Sequence, residues 1–291
     1  MVKSITNKLI DSNEKVSDGG RAQGWWSGKP IKRMSKYESD DNYRGRIDQF
    51  EIIKKFSLKG FEYGNWVNND NRHDFLRATA ESCTDLSRIF DTKNIGLDGN
   101  VGIAFGARGH SAALAHFEPS TFMINLTKEK GFGSLAHEYG HALDYFFGMY
   151  VDQSREYSAL SGGSTTRMHI DPQGGDLRRK VVMLVNDIIK DGNGRSETYR
   201  RWENSFKGEY WFRRCEIFAR FFEQWVRYRM QKKGIKNTFL SKKKYETASY
   251  VLPKDFERVA PQMDVIAKEM AAFMNNKKKS VRSTVKSTVR K

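Results

Sequence analysis

The chain has 291 residues, of which 38% are hydrophobic and 13% aromatic, so it can bury the core of one compact domain. No apolar run approaches the ~18 residues of a membrane-spanning helix, and residues 1–10 lack the apolar core and cleavage site of a signal peptide, which argues against a membrane or secreted protein. The formal net charge is +16, and the two cysteines, Cys83 and Cys215, are too few for a disulfide scaffold, so we expect buried thiols and a cytoplasmic protein.

In chain order, the first predicted elements are one helix and several short strands. Residues 1–20 are polar and weakly patterned, and we expect them to be disordered or loosely docked on a folded domain that covers residues 21–275. Apolar positions at helical spacing predict an amphipathic helix over residues 71–91. Short apolar runs then predict strands at 101–105, 112–117 and 121–126. This order indicates an α+β fold with a small mixed or antiparallel sheet, whose strand pair before the next helix could hold a peptide as an added strand.

The next predicted helix, over residues 131–148, is bounded by glycines and has a broad apolar stripe, as a mostly buried helix does. His137 and His141 lie one turn apart on the same face, where both imidazoles can reach one Zn²⁺. Glu138 can lie beside the metal and accept a proton from the attacking water, so the His-Glu-x-x-His pattern (HExxH) predicts a metal-dependent hydrolase. The competing interpretation, a buried helix with hydrogen-bonded histidines, leaves Glu138 and the spacing unexplained. Gly140 costs about 1 kcal/mol of helix propensity, which predicts a closely packed neighbour or a metal-site backbone at that point.

A catalytic zinc site of this kind needs a third protein ligand and one open position. After a glycine-rich loop at 149–175, further helices are predicted over residues 176–190, 197–206, 211–231 and 254–274. Glu216 lies in the apolar stretch of one of them, where a buried carboxylate should not be left unpaired, and it is our candidate third ligand. Glu223 and Asp144 are the alternatives, although Asp144, one turn beyond His141, fits better as a partner that orients a ligand imidazole.

The HExxH pattern followed by the helix Glu216-Ile-Phe-Ala-Arg-Phe-Phe222 resembles the gluzincin metallopeptidases of the lethal-factor type, although the gap between the two helices is longer here. A closer resemblance is to the zincin-like domain of large polyvalent proteins, which phages and conjugative elements encode. That resemblance covers about residues 45–230 and rests on Tyr210-Trp211 and on segments in the same order, at 60–66, 95–109, 113–119 and 124–131. It implies a zincin-like metallopeptidase fold, with the small sheet packed on the HExxH helix and a mainly helical C-terminal half. In that family the domain is often part of a much larger chain, whereas here it nearly fills the sequence.

The resemblance also implies a function. It implies a zinc peptidase that acts on a protein or peptide substrate, with His137, His141 and Glu216 as ligands of Zn²⁺ and Glu138 as the base. In lethal-factor-type enzymes a tyrosine shortly before the third ligand stabilises the oxyanion, and Tyr210 is six residues ahead of Glu216. The expected location is the cytoplasm of a bacterial host cell or a phage virion.

The other four histidines have simpler interpretations. Two of them lie in polar stretches and are expected at the surface, and a third lies in a glycine-rich turn: His73, His169 and His110. His116 lies in a predicted strand, where it either packs or contacts the substrate.

Basic residues are concentrated at the end of the chain. Residues 276–291 carry seven lysines and arginines and no acidic residue, which leaves a net charge of +9 for residues 1–275, and a second basic segment lies at 232–244. Such segments bind nucleic-acid phosphates without reading sequence, so nonspecific DNA or RNA is a candidate partner of residues 276–291, which we expect to be a disordered tail. The alternative is a solvated tail that only aids solubility.

Two functions from different classes remain. The first is a zinc endopeptidase, and the second is a basic nucleic-acid-binding or virion-packaged protein that keeps the zincin fold without turnover. The presence of Glu138 favours the peptidase, because a purely structural zinc site has no use for a general base.

Overall fold

The computed structural model describes residues 38–65, 67–107, 114–127, 131–152, 158–192, 194–245 and 247–288, with side chains described as far as residue 276. Among these residues there are seven α-helices: α1 Gln49–Phe56, α2 Asn69–Phe90, α3 Leu135–Phe146, α4 Asp176–Ile189, α5 Glu197–Ser205, α6 Arg214–Lys232 and α7 Pro253–Thr288. A π-helix at Phe147–Asp152 follows α3, and a 3-10 helix at Glu209–Phe212 precedes α6. The strands are β1 Phe61–Tyr63, β2 Gly102–Phe105, β3 Ala115–Glu118, β4 Met123–Leu126, β5 Lys190–Asp191 and β6 Gly194–Arg195. The expected mixture of helices with a small mixed sheet is therefore confirmed.

The described chain divides into two compact units, where the sequence predicts a single folded domain over residues 21–275. The first unit contains residues 38–135 together with 233–240, and the second contains residues 136–232 together with 241–288. The predicted disordered or loosely docked segment at 1–20 lies outside the described residues.

The four-stranded sheet belongs to the first unit and has the strand order β1-β2-β4-β3. β1 pairs with β2 and β2 with β4 in parallel, whereas β3 is antiparallel to β4 at the edge. All residues of β2 and β4 are buried, as expected for strands that are covered on both faces, and those of the edge strand β3 are partly exposed. The predicted strands at 101–105 and 121–126 are thus present, and the one predicted at 112–117 runs from Ala115 to Glu118.

An aromatic cluster fills the core of the first unit. The rings of Phe75 and Phe105 stack with centroids 4.1 Å apart, and Phe239 packs its edge on Phe75 at 5.8 Å. Asn237 holds the returning segment in place, because its amide donates to Asp85 at 2.8 Å and its oxygen accepts from the backbone of Leu240 at 2.9 Å. This buried polar anchor explains why residues 233–240 belong to the first unit.

The second unit contains α3 from Ala136 onward and the helices α4 to α7. α4 packs against α5, α6 and α7, and α6 also packs against α7. Arg178 on α4 ties this unit together, because its side chain pairs with Asp152 at 2.5 Å and donates to the carbonyl of Ala159 at 2.7 Å. An ion pair this deeply buried is destabilising to break, so it fixes the end of the π-helix that continues α3.

Several element boundaries differ from the sequence expectations. α3 begins at Leu135 rather than at 131, because Gly133 adopts φ +79° and lies in a turn before the helix. The N–H of Gly133 donates to the carbonyl of Phe239 at 2.9 Å. The π-helix occupies the first residues of the predicted loop at 149–175. The backbone of α7 continues from the predicted end at 274 to Thr288, through most of the predicted tail, and its side chains beyond 276 are outside the described part. None of the described helices has the length and apolar character needed to cross a membrane.

Candidate metal centre

Two histidines of α3 form the first half of the candidate metal centre. α3 is held in place by buried apolar side chains on its other faces, which include Leu135, Tyr139, Ala142 and Phe146. His137 and His141 share the remaining face, with ring centroids 5.0 Å apart and planes at 80° to each other. Their side chains are only 16% and 10% exposed, so both imidazoles are largely removed from solvent.

Glu216 on α6 completes a group of three candidate metal ligands, and we call His137, His141 and Glu216 the ligand triad. One carboxylate oxygen lies 3.5 Å from Nε2 of His137 and the other lies 3.5 Å from Nε2 of His141. One ligand atom from each of the three residues lies within 4.8 Å of the others. Bonds of ~2.0–2.1 Å to a tetrahedral zinc ion imply ligand atoms ~3.3 Å apart, so both nitrogen–oxygen distances are close to those of a zinc site.

The residues of the triad fit a cation. Oε2 of Glu216 is buried and makes no hydrogen bond in the described part of the chain, although Nε2 of His137 lies 3.5 Å away. A buried carboxylate oxygen without a hydrogen bond is costly. Burial lowers the pKa of His137, but the carboxylates of Glu216 and Glu223, each 3.5 Å from a ring nitrogen, outweigh it and raise that pKa to about 10. Burial raises the pKa of Glu216, but the two histidines outweigh it and hold the pKa well below its usual range. Two imidazoles and one carboxylate that together favour a positive charge are a donor set typical of Zn²⁺.

Glu223, an alternative third ligand in the sequence, faces the other ring nitrogen of His137. Its Oε2 lies 3.5 Å from Nδ1 of His137, and its side chain is 1% exposed. The hydroxyls of Tyr245 and Tyr250 each donate to this carboxylate at 3.2 Å, and Lys242 Nζ lies 3.8 Å from it. A carboxylate at the second nitrogen fixes the tautomer and the orientation of a metal-ligating imidazole.

Asp144, the other alternative, is engaged elsewhere. Its two oxygens accept from the backbone N–H of Ser161 at 2.8 Å and from the hydroxyl of Ser161 at 2.6 Å. Burial raises the pKa of Asp144 to about 6, although the bonds from Ser161 and the charge of His141 oppose the rise. Asp144 therefore anchors the segment after the π-helix to α3. The role expected of Asp144, which is to orient a histidine ring, is taken by Glu223 at His137.

Glu138 and Tyr210, the two predicted catalytic residues, also lie beside the triad. Glu138 is 5% exposed, and its negative charge contributes to the raised pKa of His137. Tyr210 belongs to the 3-10 helix, is 47% exposed, and lies close enough to Glu216 for the charge of that carboxylate to act on its phenol. Partial burial and the charge of Glu216 raise the pKa of Tyr210, so the phenol keeps its proton.

Arg220 is a buried residue beside the triad that the sequence did not point to. It lies one turn after Glu216 on α6, is 4% exposed, and donates to the carbonyl of Trp211 at 2.5 Å. Its guanidinium lies 5.1 Å from the ring centroid of Trp202 and 5.6 Å from that of Trp211. These contacts hold the 3-10 helix that carries Tyr210 against α6.

The remaining histidines and cysteines are mostly placed as expected. His73 and His169 have side chains that are 54% and 50% exposed, which confirms their surface assignment. His116 lies in β3 and is partly exposed, and His110 lies outside the described residues. Both Cys83 and Cys215 are free and buried, and burial raises the pKa of each thiol to about 12, as expected for packing residues.

One comparison with known proteins gives a match. Residues 203–275 match the family model of large polyvalent protein-associated domain 1, which supports a link to large polyvalent proteins. The matched segment is about a quarter of the chain and includes Glu216, Glu223 and both tyrosines of the Glu223 network, but it excludes the HExxH pattern. Neither the curated proteins nor the solved structures yield a match.

Proposed function

We propose that this protein is a zinc-dependent endopeptidase of the gluzincin type, encoded by a phage or another mobile element, in which the ligand triad holds Zn²⁺. The observation that carries the proposal is the meeting of ligand atoms from two helices, within 4.8 Å of one another. Glu216 follows His141 by 75 residues, so nothing in the local sequence forces this meeting. Oε2 of Glu216 is buried and makes no hydrogen bond in the described part of the chain, which supports a cation as its partner.

The chemistry of the neighbouring residues supports hydrolysis of a peptide bond. Zn²⁺, when bound, supplies a Lewis acid that lowers the pKa of water toward ~7 and polarises a carbonyl. Glu138 accepts a proton from the attacking water and returns it to the leaving amine. Tyr210, whose phenol keeps its proton beside Glu216, donates a hydrogen bond to the developing oxyanion. Three protein ligands with a general base next to them favour a catalytic site over a structural one, which fills its fourth position with protein.

Metal content and cleavage test this proposal together. Wild-type protein should contain about one zinc per molecule, and His137→Ala or His141→Ala should abolish it, because two remaining ligands bind weakly. Glu138→Gln should keep zinc and the fold but lose proteolysis, because an amide cannot accept the proton. The measurements are elemental analysis and cleavage of a mixed peptide library, with circular dichroism as the control for folding. Full zinc occupancy after both histidines are replaced would remove the site assignment, and unchanged cleavage by Glu138→Gln would remove Glu138 as the base.

A second candidate function is favoured by charge alone. The net charge of +16 and the acid-free basic segment at 276–291 support a nucleic-acid-binding or virion-packaged protein that keeps the fold without turnover. Zinc binding without any peptide cleavage, together with salt-dependent binding to DNA or RNA, would favour this alternative.

A further inference from the structure

A cleft of about 470 Å³ lies in the second unit, between α5 and the 3-10 helix. Three aromatic residues line it, namely Tyr199, Phe206 and Phe212, and the acidic residues Glu203 and Glu209 belong to the same lining. Ligand sites in proteins commonly measure ~300–1,000 Å³, so the cleft is large enough for one long side chain with its adjoining backbone.

The cleft shares its supporting residues with the candidate metal centre. Tyr210, which lies beside Glu216, directly follows Glu209 of the cleft lining. The ring of Trp211 stacks on Phe206 with centroids 4.1 Å apart, and its carbonyl accepts from Arg220. The same 3-10 helix thus provides a residue at the triad and a wall of the cleft.

The lining of the cleft is suited to a cationic side chain. Aromatic faces attract ammonium and guanidinium groups, and carboxylates add a charge of the opposite sign. Glu203 already pairs with one cationic side chain of the protein, because Nε of Arg195 lies 3.3 Å from its Oε1. The side chains of Arg195 and Glu203 are 51% and 32% exposed, and an exposed pair of this kind contributes little stability, so Glu203 can exchange this partner for another cation.

We propose that this cleft is a specificity subsite that binds a lysine or arginine side chain of the peptide substrate, at one position near the bond that is cleaved. The proposal rests on the peptidase function argued above, because it is the metal centre that makes the neighbouring cleft a substrate subsite. The aromatic walls hold the aliphatic stem of the side chain, and Glu203 and Glu209 face its charged end. An acidic side chain at the same position is excluded by the two carboxylates.

Binding of uncleaved peptides tests the subsite directly. Acetylated and amidated peptide pools, with one position fixed as lysine, norleucine or glutamate, are titrated into the zinc-loaded Glu138→Gln protein and followed by calorimetry. We expect lysine to bind at least about fivefold more tightly than norleucine, and the double variant Glu203→Gln/Glu209→Gln to abolish the difference. Glu257→Gln, which removes one exposed negative charge on α7 away from the cleft lining, should leave the preference unchanged.

A variant that is expected to raise the preference for lysine is the control for a general loss of structure. Arg195→Gln frees Glu203 from its internal partner and should increase the preference for lysine, which no loss of folding would do. Equal binding of lysine and norleucine by the parent protein, or a preference that survives in the double variant, would overturn the subsite. Failure of the peptidase proposal gives a different result. Wild-type protein that binds lysine peptides selectively but cleaves none would refute the peptidase and leave the cation specificity of the cleft in place.

Discussion

His137 has a carboxylate opposite each of its two ring nitrogens. Nε2 lies 3.5 Å from Glu216 and Nδ1 lies 3.5 Å from Glu223. With a metal on Nε2, the proton of the ring must be on Nδ1, where Glu223 accepts it. Because Tyr245 and Tyr250 donate to Glu223, the orientation of the imidazole depends on residues that lie far from the HExxH pattern.

Replacing Glu223 should weaken zinc binding without removing a ligand. Glu223→Gln keeps the size of the side chain but loses its charge, and loss of such a partner typically costs 10–100-fold in metal affinity. Tyr250→Phe, which removes one donor to the same carboxylate, should have a smaller effect in the same direction. The measurement is zinc competition with a chelator, and the thermal stability of the zinc-free variants is the control. Wild-type zinc affinity in Glu223→Gln would show that Glu223 does not position His137.

Asp85 in the first unit should make stability depend on pH. Burial raises the pKa of Asp85 to about 6 from an ordinary 3.8, although hydrogen bonds from Asn237 and Asn42 oppose the rise. Between these two values the folded state binds more protons than the unfolded state, so stability falls as pH rises from about 4 to 6, by at most ~3 kcal/mol. Asp85→Asn should remove this fall, as measured by urea unfolding at pH 4 and pH 7. An unchanged pH dependence in the variant would contradict the assignment.

At the scale of elements, the contact between α3 and α6 brings the triad together, and Gly140 lies in this contact. A Cβ built on Gly140 would lie 3.0 Å from Cδ1 of Phe222 and 3.3 Å from Cα of Ala219. This is the packed neighbour that the glycine in the middle of a helix predicted. Only a residue without a side chain lets the two helices approach this closely.

Gly140→Ala should therefore destabilise the protein and weaken its zinc binding. Alanine gains about 1 kcal/mol of helix propensity, but overpacking at such a contact typically costs about 1–3 kcal/mol, so the net effect is a loss. Gly194→Ala is a matched control, because a Cβ at that position meets nothing within 4 Å. Thermal unfolding and chelator competition measure both effects. A Gly140→Ala protein as stable as the control variant would show that α3 and α6 can separate at little cost.

The sequence predicted the parts of the site that have a periodic pattern. The HExxH spacing and the apolar stripes predicted α3 and α6, and they directed attention to Glu216 as a buried carboxylate. Tyr245 and Tyr250 could not be predicted, because they lie in an irregular segment where no periodicity relates them to Glu223. Arg220 could not be predicted for a different reason. Its cation–π contacts with Trp202 and Trp211 form only through tertiary packing, so no pattern in the sequence around Arg220 indicates them.

At the scale of the whole molecule, the uneven charge leads to a prediction about nucleic acid. Deleting residues 276–291 removes seven cationic side chains and should weaken binding to nonspecific DNA or RNA, with a flatter dependence on salt, because fewer counterions are released. Zinc content and peptidase activity should not change, because the triad and the Glu223 network lie before residue 276. Binding titrations at several salt concentrations measure the effect. Identical salt slopes for both proteins would remove nucleic acid as a partner of this segment.

The wide separation of the site residues along the chain has a consequence during synthesis. His137 and His141 leave the ribosome first, Glu216 follows 75 residues after His141, and Tyr250 another 34 residues later. At translation rates of ~5–20 residues per second, roughly 5–20 s pass between the second histidine and the last residue that holds Glu223. The candidate metal centre is therefore incomplete in a nascent chain until Tyr250 has been added. In the proposed peptidase, the order of translation would delay activity until this last part of the centre has been made.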